Sequence, residues 1–216
     1  MLGFVIALEK EAKFFLSTVE NLEETTILDK KVYLGKVCGK DVVIAISGIG
    51  KVNSAFTTQA VIDKYSPSFI INFGTAGGTN DNAQLFKYYL VEKCCQFDFD
   101  LSTIDPVPVG YIQDYDTVLF KNYVENINCI DKINLASADR FSFNIEDINI
   151  INANDCSLRD MEGGAIAQVC TANKIPLIMI KGVTDVYGHE TGEFYKNLIR
   201  VCEGFPAIIN KVILSL

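Results

Sequence analysis

Hydrophobic positions along this chain alternate between two spacings, and each change of spacing marks a change of element. Residues 2–7 (LGFVIA) make an unbroken apolar run suited to a buried strand. Leu8, Ala12, Phe15 and Val19 then recur at helical intervals, so the pattern predicts a helix from about Glu9. Lys31–Val37 and Asp41–Ile46 read as two strands joined at Gly39. A second helical pattern (Val52, Ala55, Phe56, Ala60) follows the turn Ser47-Gly48-Ile49-Gly50. Phe69–Phe73 is a short apolar strand that ends in Gly74-Thr75-Ala76-Gly77-Gly78.

Further along, Tyr88–Val91, Ile133–Ala138 and Ile148–Ile151 are strand candidates. Residues 96–116 mix Asp, Pro and aromatics without a period, which predicts a long functional loop. Gly164–Lys174 carries Ile166, Val169 and Cys170 on one helical face, and Leu177–Val183 is a buried strand after Pro176. A last helix lines up Phe194, Leu198, Cys202 and Phe205, with a kink or break expected at Pro206. No internal repeat, Pro-rich linker or long charge run divides the chain. The alternation predicts one α/β domain over residues 1–216, with a mixed, mostly buried β-sheet flanked by helices on both faces.

Composition narrows the partners. The 216 residues include 19 Lys and Arg against 27 Asp and Glu, a net charge of -8 that lacks the footprint for nucleic acid or an anionic membrane. Only Arg140, Arg159 and Arg200 carry a guanidinium, so none precedes residue 140. The seven Cys are odd in number and several sit in apolar runs, which points to reduced, buried thiols. With His189 as the single His, no Cys/His metal site is expected. The apolar run Leu2–Leu8 stops at Glu9-Lys10-Glu11, too short for a signal peptide or a membrane span, so a cytoplasmic location is expected.

Candidate chemistry gathers at four strand-to-helix junctions, where ligands of α/β sheets collect. Glu11 stands after the first strand and reads either as a functional carboxylate or as one favoured by the helix dipole. Ser47-Gly48-Ile49-Gly50-Lys51 and the turn Gly74–Gly78 are neither a Walker loop nor a dinucleotide fingerprint; their glycines offer tight turns and backbone N–H groups. Asp160-Met161-Glu162-Gly163-Gly164 precedes a helix and reads either as a cap or as a site. Thr184-Asp185 closes an apolar strand, where an Asp is positioned by a ligand or a neighbouring turn.

Taken together and in order, these segments resemble the nucleoside phosphorylase/nucleosidase superfamily, and most closely the methylthioadenosine/S-adenosylhomocysteine nucleosidases. The matching pieces are Ala7–Glu11, Ser47–Val52, Asn72–Gly78, Ser137–Phe141, Asp160–Glu162 with Ala165–Ala167, and Thr184–Val186, which cover nearly the whole chain. The resemblance implies a nucleoside phosphorylase-like fold and cleavage of the bond between adenine and a 5′-thio-substituted ribose. It implies no cofactor, a small nucleoside as partner, and a homodimer.

Such a bond breaks through an oxocarbenium-like state, which calls for an acid at the purine, a base for water and a group on the sugar. By resemblance Asp185 is the acid at purine N7, Glu11 the base, and Glu162 the acceptor of the ribose hydroxyls. Giving a proton near neutral pH requires surroundings that raise the proton affinity of Asp185, as burial beside an apolar strand does. Phe141 would stack on adenine with the Ser142 backbone at the purine edge, and Met161 would pack under the sugar. The alternative reading of Phe141 and Met161 is as plain core residues. Leu8, Ile49, Thr75, Ala76, Gly77 and Thr184 complete the implied substrate contacts. Leu8 stands where the family commonly has Met, and Thr75 where it has Ser.

Phosphorylases of this fold hold phosphate with Arg side chains mostly from the N-terminal half, where this chain has none; water is therefore the expected nucleophile. Tyr187–Phe194 and Cys94–Tyr111 match the family poorly, and in relatives these regions close over the 5′ group. That leaves the 5′ substituent open. A purine nucleoside phosphorylase, a futalosine-type nucleosidase and a silent nucleoside-binding protein are the alternatives.

Overall fold

The computed structural model describes residues 1–189 and 193–216. Among these, ten strands join in one sheet: β1 (Leu2–Ile6), β2 (Glu20–Ile27), β3 (Lys30–Val37), β4 (Lys40–Ile46), β5 (Phe69–Gly78), β6 (Tyr88–Gln96), β7 (Phe120–Lys121), β8 (Asp131–Ser137), β9 (Leu158–Asp160) and β10 (Leu177–Val186). The order β10-β6-β8-β9-β5-β1-β4-β3-β2 mixes parallel and antiparallel neighbours, with β7 beside β6. β5 also pairs with β10, so β10, β6, β8, β9 and β5 close into a ring from which the other strands extend.

Helices cover both faces, as the periodicity predicts. Phe4 and Ile6 of β1 point into one core with Ala12 and Phe15 of α1 (Glu9–Leu16) and Leu198, Val201 and Phe205 of α5 (Phe194–Leu214). Val5 points the other way, into a core shared with Val61 of α2 (Lys51–Tyr65) and Ile166 and Cys170 of α4 (Gly163–Ala172). A strand buried on both faces has to be apolar at every position, which is why residues 2–7 show no alternation. No helix among the described residues is long and apolar enough to cross a membrane.

Three local expectations are corrected, and one strand, β2, is added. Ile148–Ile151 is not a strand but part of α3 (Ile145–Ala153), started by the Asn144 side chain accepting from the Asp147 N–H at 2.8 Å. Its buried Ile148 and Ile151 lie three apart, a spacing that a helix uses as readily as a short apolar run. α5 is not broken at Pro206, because the stripe Phe205, Ile209, Val212 and Ile213 is fully packed on both sides of it. β2 escapes the pattern because it is a polar edge strand in which only Ile27 is buried. β5 and β10 run past their apolar segments, through Gly78 and Val186, since each completes the other's backbone pairing.

Candidate active site

The extended ends of β5 and β10 form the floor of a cavity of about 240 Å³. Between Val183 and Asp185 the β10 register shifts, and this bulge leaves Thr184 out of the ladder. The Asn197 amide on α5 donates to the Thr184 carbonyl at 2.9 Å, and the Thr184 hydroxyl donates to Asp185 Oδ1 at 2.8 Å. Asp185 is thereby held at a fixed angle at the strand end, buried.

Glu11 enters from the first turn of α1. Its carboxylate caps nothing on its own helix; Oε1 accepts from the Thr75 N–H and the Thr75 hydroxyl, both at 2.8 Å. Gly74 leaves room for it, since a methyl group there would come within 3.2 Å of Oε1. The helix-dipole reading therefore does not account for where Glu11 points.

The acidic cluster divides its labour. Asp160 caps α4, accepting from the Gly163 N–H at 2.9 Å, and also takes the Ser137 hydroxyl at 2.5 Å and the buried Lys181 ammonium at 2.8 Å. Glu162 makes no cap bond; its Oε1 accepts from the Gly50 N–H at 2.9 Å, across 112 residues of chain. Gly50 has φ +98°, which favours glycine, and that conformation turns its N–H toward Glu162. Burial, reinforced by the neighbouring Asp160 charge, pushes the Glu162 carboxyl up to about 7.

Phe141 and Met161 are not core. Phe141 is 64% exposed at the cavity rim, with its ring parallel to Phe143 and edge-on to Phe194, and Met161 is half-buried in the wall. The loop that carries Phe141 is tied down at both ends. Asp139 accepts from the Lys51 N–H at 2.7 Å, and the Arg140 guanidinium forks onto Asp147 at 2.9 and 2.6 Å. Ser142 is buried beside it and also lines the cavity.

The structure brings every candidate to this one cavity: Leu8, Glu11, Ile49, Thr75, Ala76, Gly77, Phe141, Ser142, Met161, Glu162, Thr184 and Asp185. Residues 190–192, inside the poorly matching Tyr187–Phe194 stretch, lie outside the described residues. Phe194 and Leu198 add apolar wall, and Lys10, Arg140, Asp160 and Arg159 add charge. Arg159, which directly precedes the Asp160–Glu162 segment, reaches Asp185 with its guanidinium, donating to Oδ2 at 2.6 Å with both groups buried. Asp185 is buried at the end of the apolar strand and lies against a cation as well.

The family model described as Phosphorylase superfamily matches residues 2–213. A 5′-methylthioadenosine/S-adenosylhomocysteine nucleosidase of Arabidopsis thaliana is 32% identical, over 97% of this chain and 89% of its own. One from Staphylococcus carnosus is 30% identical over 92% of each. An adenine-bound crystal structure from Borrelia burgdorferi B31 superposes with a TM-score of 0.89 at 29% identity, each chain covered in full.

Proposed function

The chain belongs to the phosphorylase superfamily and, within it, to the 5′-methylthioadenosine/S-adenosylhomocysteine nucleosidases, and on that premise we propose that it hydrolyses the N-glycosidic bond of those two nucleosides. The products are free adenine and a 5-thioribose. One observation carries the reading: Glu11, Glu162 and Asp185 converge on one cavity, each held by different partners.

In this reading the C1′–N9 bond breaks with its electron pair going to adenine, and Asp185 passes a proton to N7 so that the base leaves neutral. Water adds to C1′ and gives its proton to Glu11, whose second oxygen, Oε2, has no hydrogen-bond partner among the described residues. Glu162 accepts the ribose hydroxyls, an interaction that strengthens as positive charge grows on the ring. Phe141 stacks on adenine with the Ser142 backbone at its edge, and Met161 packs under the sugar. Ala76, Gly77 and Thr184 form the floor, and Leu8 and Ile49 meet the 5′ side. The enzyme works as a cytoplasmic homodimer without a cofactor.

Water rather than phosphate is supported by the arginines. Arg140 and Arg159, both at the cavity, are already committed to Asp147 and Asp185. A nucleoside panel assayed with and without phosphate, with base release followed by chromatography, tests the proposal. Adenine release that does not depend on phosphate is expected. Phosphate-dependent release means a phosphorylase, hypoxanthine-only release removes the adenine assignment, and binding without turnover means a silent binding protein.

A further inference from the structure

Gly77 on β5 pairs with two strands at once: with Arg159 of β9 on one side and Asp185 of β10 on the other. Strand neighbours lie close to 5 Å apart, so these two side chains are separated by one strand that has no side chain at the crossing point. A methyl group at Gly77 would overlap the Arg159 guanidinium. The guanidinium crosses over Gly77 and donates to Asp185 Oδ2 at 2.6 Å. It also lies over the rings of Phe141, at 5.5 Å, and Phe143, at 5.1 Å. A buried arginine is costly to keep, burial lowers its own proton affinity, and Arg159 Nε has no hydrogen-bond partner. Such a group is not there for stability alone.

From this arrangement we infer that Arg159 is a positioning residue for the glycosidic cleavage, aligning the Asp185 carboxyl with the purine and tying it to the aromatic rim that stacks the base. The inference deepens the proposed function and rests on it. Arg159 acts in two ways. Its Nη2 bond to Oδ2 fixes the carboxyl that delivers the proton, and its charge stabilises the Asp185 carboxylate left when that proton has passed to N7. One guanidinium thereby lies against Asp185, Phe141 and Phe143 at once.

Other charged groups surround the same cavity: Glu11 and Lys10 on α1, Arg140 on the Phe141 loop, Asp160 and Glu162 at the start of α4. Lys181 of β10 pairs with Asp160, and His189 shares with Asp185 an adjoining cavity. The Glu162 carboxyl is raised by burial first, then by the Asp160 charge, while Lys181 and the Gly50 N–H lower it and Glu11 raises it.

The test compares wild type, Arg159→Met and Arg159→Lys for adenine release from 5′-methylthioadenosine between about pH 5 and pH 9. Arg159→Met is expected to lower kcat about 10- to 100-fold with a smaller change in KM. Arg159→Lys keeps the charge but loses the planar guanidinium, so its kcat recovers only in part. Arg159→Met with wild-type kcat overturns the inference. If that variant does not fold by circular dichroism, Arg159→Lys decides, and wild-type kcat there overturns the inference. Wild type that releases no adenine overturns the functional reading and this inference together; wild-type turnover with indifferent variants overturns this one alone.

Discussion

Thr75 holds one oxygen of Glu11 twice: its backbone N–H and its hydroxyl both donate to Oε1 at 2.8 Å. The carboxylate is fixed through one atom, and the backbone donor comes from the part of β5 that pairs with β10.

Replacing Thr75 by Val removes the hydroxyl donation and keeps the backbone one. A hydrogen bond to a charged group is worth about 1.5–3 kcal/mol, so kcat is expected to fall roughly 10- to 100-fold while Thr75→Ser stays near wild type. Glu11→Gln, which removes the proposed base, is expected to cost about 10²–10⁴ in kcat. Steady-state adenine release measures all three. Near-wild-type turnover in Glu11→Gln would falsify its role.

In the proposed reaction Glu162 is expected to set an acid limb. Its carboxyl is raised to about 7, so the form proposed to accept the ribose hydroxyls is lost as pH falls through that value, and kcat/KM is expected to fall with it. Stability runs the other way. A carboxyl that binds its proton more tightly folded than unfolded contributes stability that is full below its ordinary 4.5 and gone once pH has risen past about 7. At about pH 8, Glu162→Gln is therefore expected to gain up to about 3 kcal/mol while losing turnover. Urea unfolding of both proteins at acidic and alkaline pH checks this; equal stability of the two at alkaline pH contradicts it.

Lys181 and Asp160 form an ion pair with side chains 2% and 1% exposed. Breaking such a pair strands a buried charge, so Lys181→Met is expected to lose about 3–5 kcal/mol. Adding Asp160→Asn removes the stranded carboxylate, and the double variant is expected to lose less than the sum of the singles. A denaturant double-mutant cycle measures the coupling, and additive losses would count against the pair.

Arg140 and Asp147 hold the Phe141 loop from its outer side. The guanidinium keeps the Asp147 carboxyl down at about 2, so at neutral pH the clasp is intact and opens only in strong acid. Asp147→Asn is expected to raise KM about three- to tenfold with little effect on kcat, because it loosens a base-stacking element without touching the acid or the base. A fall in kcat with constant KM would mean that the loop takes part in the chemical step.

Much of the fold was legible in the chain because local periodicity is set by local packing. The doubly buried β1, the helical stripe of α5 and the glycine turns all announce themselves within a few residues. The candidate carboxylates were legible for a related reason, as acidic residues at strand ends where a core position would be apolar. β2 and α3 were misread or missed because an exposed edge strand has no buried face and a three-residue spacing serves either element. Which of Asp160 and Glu162 caps α4 left no mark in the spacing of residues, since both stand before the same helix. Nor did the pairing of Arg159 with Asp185, 26 residues apart. That contact exists because β9 and β10 register against the same glycine of β5, and strand register is decided by long-range pairing, which no stretch of sequence contains by itself.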